Sequence, residues 1–148
     1  MSVPGQVLMA AHAEVKAEIA RTDTKAGLLL AFVGALLAGG WSVARDLPLN
    51  LPAYAVGGLG TAVLVVAAGL LLRSVRPNLR GRHGFVLWAT LAPVEIPAAV
   101  SDDLAADIAG LSRLAVVKFT FLRRAIDLTY AGGALLILAA LLALGGVA

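Results

Sequence analysis

Three stretches without a single charged side chain, each long enough to cross a bilayer, constrain this chain of 148 residues more than anything else in it. The hydrocarbon layer is about 30 Å thick, so a crossing helix needs roughly 20 apolar residues. The first stretch runs from Ala26 to Ala44 and stops at Arg45 and Asp46; the second runs from Ala53 to Leu72, between Pro52 and Arg73. The third begins near Leu128, just after Arg123, Arg124 and Asp127, and stays apolar to Ala148. With 60% hydrophobic and 14% charged residues, a water-soluble globule is excluded. The expected fold is all-α, an integral membrane helical bundle with three transmembrane helices. A cleaved signal peptide is not expected, because a mixed-charge segment holding Glu14, Glu18 and Asp23 precedes the first apolar run.

Orientation follows from the basic residues, which resist translocation. Of the twelve Lys and Arg, all but Arg45 lie before the first span or between the second and third. The amino terminus and the central segment are therefore expected in the cytoplasm, and the carboxyl terminus outside. This divides the chain into a cytoplasmic amphipathic helix (1–25), a transmembrane hairpin (26–72), a cytoplasmic basic turn, loop and amphipathic helix (73–126), and a third transmembrane helix (127–148).

Both cytoplasmic helices are predicted to continue into spans. From Val7 to Lys25, Leu8, Ala11, Val15, Ile19 and Thr22 recur at three and four, with His12, Glu14, Lys16, Glu18 and Arg21 on other faces. In the central segment Ser101, Asp102 and Asp103 read as a helix start, a hydroxyl cap followed by two acids, in preference to a metal pair. Leu104, Ile108, Leu111, Ala115, Phe119 and Leu122 then form an apolar stripe, and no strong breaker separates it from the third span. The two helices can cover each other's stripes. Before them, Pro77, Gly81 and Gly84 interrupt a basic turn, and Phe85 to Val100 is apolar but broken by Pro93 and Pro97. That stretch reads as a packed or interfacial loop, with a short helix at Val86 to Leu91; a re-entrant segment is the alternative.

Little catalytic chemistry is present. No cysteine excludes disulfides and thiolate metal sites, and two histidines are few for a metal centre. No phosphate-binding glycine loop, nucleophile elbow or zinc-protease signature occurs. The chain is expected not to be an enzyme and to carry no metal or cofactor. The apolar cores hold no Asp, Glu, Lys, Arg or His, which argues against a proton-coupled carrier; Asp127 is expected to pair with Arg123 one turn away. Gly34 with Ala38, Ala35 with Gly39, Gly58 with Ala62 and Ala139 with Ala143 lie four apart, spacing that permits close helix packing within one monomer or between copies in a homo-oligomer.

The basic central segment, Arg73, Arg76, Arg80, Arg82, His83, Arg113, Lys118, Arg123 and Arg124 with Phe119 and Phe121 interleaved, has two readings. One is the orientation signal plus attraction to anionic headgroups. The other is an anion site, with cations on a phosphate and an aromatic face on a base. Partnership with nucleic acid is not expected.

Two motifs narrow this further. The run Glu18-Ile-Ala-Arg21-Thr-Asp23-Thr-Lys25-Ala26, leading into Leu28 to Leu37, resembles the R-x-D-x-K-A element that opens the first span of Pycsar effector transmembrane proteins. Leu111-Ser-Arg113-Leu, Val117-Lys118-Phe119 and Leu122-Arg123-Arg124-Ala125 resemble the K-[FY]-x-x-[LI]-R pattern of the same family, so the likeness covers nearly the whole chain. It departs from relatives at Leu87-Trp88-Ala89-Thr90, where an aromatic, glycine and acid element is common.

The resemblance implies a bacterial antiphage effector of the inner membrane. A partner pyrimidine nucleotide cyclase would make cyclic CMP or cyclic UMP on infection, and the effector would respond by impairing membrane integrity. Arg21, Asp23 and Lys25 match the first motif; Arg113, Lys118, Phe119, Arg123 and Arg124 match the second. With Arg73, Arg76 and Arg80, the residues from Arg113 to Arg124 form the expected nucleotide site. A ligand-independent holin-like or toxin-like pore former and a structural subunit of a membrane complex are the competing readings.

Overall fold

The computed structural model describes residues 3–46, 50–76, 89–96 and 104–145. Three helices organise them: α1, Val3–Asp46; α2, Leu51–Val75; and α3, Leu104–Gly145. No strand occurs among the described residues. At 1.5 Å per residue α2 is about 37 Å long, enough for one crossing, whereas α1 and α3 reach about 66 and 63 Å, twice the thickness of the hydrocarbon. All three are apolar and long enough to span a membrane. As expected, each amphipathic segment and the span after it form one unbroken helix: residues 25 and 26 sit inside α1, and residues 126 and 127 inside α3. The expected start at Ser101 to Asp103 lies outside the described residues, as do Pro48 and Pro77.

Register contacts set the topology. Asp23 meets Lys118 and Gly40 lies against Leu136, so α1 and α3 rise together. Gly60 crosses Gly132 and Asn50 reaches Leu142, so α2 runs antiparallel to α3, with which it packs most extensively. The core is thin: Ala26, Val33, Leu64, Leu71, Leu122 and Ala125 are buried where the helices meet. Large apolar side chains point outward, Leu28 at 69% exposure and Trp41 at 70% among them. In water that arrangement would be untenable; facing lipid it costs nothing, because hydrocarbon tails are as apolar as leucine.

Glycine closes the half of the bundle that holds the start of α2. A methyl group on Gly132 would stand 2.7 Å from Leu64 Cγ and 3.1 Å from the Gly60 carbonyl oxygen, and one on Gly60 would stand 3.0 Å from Leu135 Cβ. Backbones approach here as no larger residue would allow. Of the small pairs read from spacing, Ala139 and Ala143 are buried in this packing. The other three face outward: Gly34, Gly39 and Gly58 have nothing within 4 Å of an added methyl, and Ala35, Ala38 and Ala62 are exposed.

At that end Asn50 joins two helices. Its Oδ1 accepts from the Ala53 amide at 2.9 Å and caps α2, while its Nδ2 donates to the Leu142 carbonyl at 2.8 Å, one of the last four of α3 that lack a helical partner. Pro52, expected to bound the helix, lies within its first turn, where a missing N–H costs nothing.

Threonines inside the bundle satisfy their hydroxyls on their own helices: Thr22 donates to the Glu18 carbonyl at 2.8 Å and Thr129 to that of Ala125 at 2.7 Å. Residues 89–96 form turns, with the Ala92 amide donating to Glu95 Oε2 and the Glu95 amide to the Ala92 carbonyl, both at 2.9 Å. Residues 89–91 are not helical, contrary to the short helix expected at Val86 to Leu91, because Pro93 and the Glu95 side chain turn the chain immediately after them. Residues 86–88 lie outside the described residues.

Candidate functional site

The α2 helix ends at Val75, and beyond that level α1 and α3 continue without it, toward the start of each. At the level where α2 stops, the two sequence motifs meet. Lys118 on α3 donates through Nζ to Asp23 on α1, at 2.6 Å to Oδ1 and 2.8 Å to Oδ2. The Lys118 side chain is only 12% exposed and that of Asp23 41%. An ammonium this buried is stable because a carboxylate receives it. Asp23 remains open to the aqueous side.

Lys118 faces inward because of helical phase. Along α3 the inward positions run Leu111, Ala115, Lys118 and Leu122, at intervals of four, three and four. Phe119, expected in the apolar stripe, is 100° further round and exposed. The lysine stem fills the apolar slot and its head finds the one acid at that level of α1. Thr22, beside Asp23, is buried, as is Ser74 on the last turn of α2. The Ser74 hydroxyl has no hydrogen-bond partner. Register places it within about a turn of Lys118, since Arg73 lies over the ring of Phe121, with 5.8 Å from guanidinium carbon to ring centroid.

The remaining basic residues surround this layer without converging on one point. Arg76, Arg113, Arg123 and Arg124 are exposed, as are Arg21 and Lys25 on α1. Arg21 pairs at 3.5 Å with Glu18 on its own helix. Arg113 precedes Lys118 by five positions, about 140° around α3, so the two point to different sides. Arg80, with Arg82 and His83, lies outside the described residues. The expected pair between Arg123 and Asp127 does not form: among the described residues Asp127 has no ionic partner, and both side chains are exposed at the membrane boundary. Long side chains there reach the headgroup region instead of closing on a neighbour.

Two other features define what the molecule can do. A groove with a cavity volume of about 610 Å³ opens toward lipid between α1 and α2, lined by Gly39, Trp41, Tyr54 and Gly58 among others. It has no charged lining residue and suits hydrocarbon, not phosphate. Among the described residues no three His, Cys, Asp or Glu side chains gather as a metal site would require.

Sequence reasoning placed Asp23 and Lys118 in different roles, and their pairing needed the helix register. Ser74 and Asn50 were not singled out. The polar residue just ahead of Leu51 and Pro52 carried a capping signal for Asn50; nothing in the sequence marked Ser74.

These features define a class: a helical membrane protein with three helices able to span, two of them prolonged beyond the third as a pair, with a charged contact at the level where the third ends. Comparison with family models makes the assignment more specific. The model of the Pycsar effector protein domain, PycTM, matches residues 7–145, and the chain belongs to that family. It is therefore a membrane protein of the antiphage defence effector class, tied through its family to a cyclase pathway. No curated protein and no solved structure matches the chain.

Proposed function

We propose that this protein is a bacterial inner-membrane effector that senses cyclic CMP or cyclic UMP made by a partner pyrimidine cyclase and responds by impairing membrane integrity, halting the infected cell. The observation that carries this reading is the family match over residues 7–145, which takes in both cytoplasmic helices and all three spans. The protein acts without catalysing a reaction and uses no metal or cofactor. Its amino terminus and residues 73–126 are cytoplasmic and its carboxyl terminus is outside, in keeping with the basic residues at the inner ends of the spans. Copies assemble as a homo-oligomer in the bilayer.

The nucleotide is received on the cytoplasmic side, where Arg73, Arg76, Arg80, Arg113, Lys118, Arg123 and Arg124 supply cations and Phe119 an exposed ring. A ligand alters the bundle only by preferring one arrangement of its helices over another. Since α1 and α3 pass unbroken into their spans, a change in how their cytoplasmic halves meet is carried into the membrane.

Expression of the chain with and without a pyrimidine cyclase, read by uptake of an impermeant dye, tests this directly. Dye uptake only with the cyclase is expected. Uptake without it would favour the ligand-independent pore former. Calorimetry on the purified protein with cyclic CMP and cyclic UMP is expected to give heats that fall in Lys118→Glu and Arg113→Glu; equal heats in all three proteins would refute the site.

A further inference from the structure

We propose that the Asp23–Lys118 pair is an exchangeable latch: a phosphodiester anion replaces the Asp23 carboxylate on Lys118, with the Ser74 hydroxyl as its second donor, and so releases α1 from α3. The proposal rests on the sensor reading above and names how that site is regulated.

Four observations lead to it. The pair lies at the level where α2 ends, the last at which three helices meet, and it ties the two that continue. Lys118 gives two of its three donors to Asp23, and a buried hydroxyl with no partner lies within about a turn, so the layer has donors to spare and lacks an acceptor. Asp23 is the more exposed member, so it is the one a solute in the cytoplasm can displace. The surroundings are cationic: Arg73 and Arg76 on α2, Arg21 and Lys25 on α1, and Arg123 and Arg124 on α3 all stand within two turns along their helices.

The exchange conserves charge at Lys118. A cyclic phosphodiester carries one negative charge, as Asp23 does, so Lys118 stays paired throughout and no buried ammonium is stranded. The phosphodiester differs in being untethered from α1. Once it holds Lys118, the ionic contact between the two long helices is gone, and the freed carboxylate of Asp23 turns to water. With no break in either helix, separation at residues 23 and 118 is transmitted to about 30 Å of span on each.

The test uses the full chain in liposomes of phosphatidylethanolamine and phosphatidylglycerol, with entrapped dye and nucleotide on both sides. Without nucleotide, Asp23→Asn is expected to leak at least tenfold faster than wild type. The exchange Asp23→Lys with Lys118→Asp is expected to return leakage to within twofold of wild type and to abolish acceleration by cyclic CMP or cyclic UMP, because a nucleotide that took the lysine on α1 would strand a buried carboxylate on α3. That rescue separates loss of the pair from loss of folding. Ser74→Ala is expected to raise the nucleotide concentration for half-maximal leakage about tenfold. Wild-type leakage from Asp23→Asn, or a double exchange as leaky as the single variant, would overturn the latch. Wild type that binds either nucleotide by calorimetry yet stays sealed would overturn the exchange and leave the sensor reading standing, whereas wild type that neither binds nor leaks would defeat both.

Discussion

The two ends of the bundle are held by different physics. At the end marked by Asn50, the outer one under the proposed orientation, α2 and α3 touch backbone to backbone through Gly60 and Gly132, and Asn50 stitches the start of one to the end of the other. At the other end, cytoplasmic under the same proposal, α1 and α3 are joined by a lysine and an aspartate, under a half-open layer with a spare hydroxyl. Close packing of glycines is indifferent to solutes and yields only to steric change. An ion pair half open to water can be competed away by any suitable anion. A molecule that must stay assembled in lipid yet respond to a dissolved signal is served by having the first kind of contact at one end and the second at the other.

Steric change at the outer end should have the largest effect. Gly132→Val would drive methyl groups into Leu64 and the Gly60 carbonyl, and is expected to destabilise the bundle by about 3 kcal/mol, the upper part of the range for overpacking. Denaturant titration in detergent, followed by the two tryptophans, would show the midpoint fall. Removing the charge of Asp23 should cost less. Asp23→Asn leaves Lys118 without its anion, at about 2 kcal/mol, between the small value of exposed pairs and the larger one of buried pairs. Here the same titration would show a loss that added salt reduces, whereas salt should not change the effect of Gly132→Val. Asn50→Ala removes a cap and a tie between helices and is expected to cost about 1 kcal/mol; hydrogen exchange should quicken at the start of α2. The smallest effect belongs to Gly34→Ala, which adds a methyl where nothing lies within 4 Å and should change monomer stability by less than about 0.5 kcal/mol. A large loss there would mean that α1 packs differently.

Much of this asymmetry could be read before the structure. Span number and the prolongation of two helices beyond the third followed from where charges stop, because lipid tolerates few ionised groups and a helix can be measured in residues. The inward stripe of α3 was legible as far as Ala115. It failed at Phe119, since three-and-four spacing allows either step and an apolar residue was preferred to a lysine whose acid lies 95 positions away. Of the small-residue pairs, only Ala139 with Ala143 is buried in the bundle, for a related reason. Spacing shows that Gly34 and Ala38 share a face, not whether that face meets a helix or lipid; the contact that closes the bundle, Gly60 with Gly132, joins single glycines on two helices. Pairing of the two family motifs through Asp23 and Lys118 likewise emerges only when α1 and α3 are set in register.

Paired spin labels provide the most direct measurement of the central claim, that the cytoplasmic end yields to a cyclic pyrimidine while the outer end holds. One pair would sit on Ala20→Cys and Val116→Cys, exposed on the cytoplasmic halves of α1 and α3; the other on Leu59→Cys and Leu138→Cys, exposed on α2 and α3 within the outer half. The chain has no native cysteine to interfere. Cyclic CMP or cyclic UMP is expected to lengthen the first distance distribution and leave the second unchanged. An unchanged first distance, or two distances that shift together, would contradict the account.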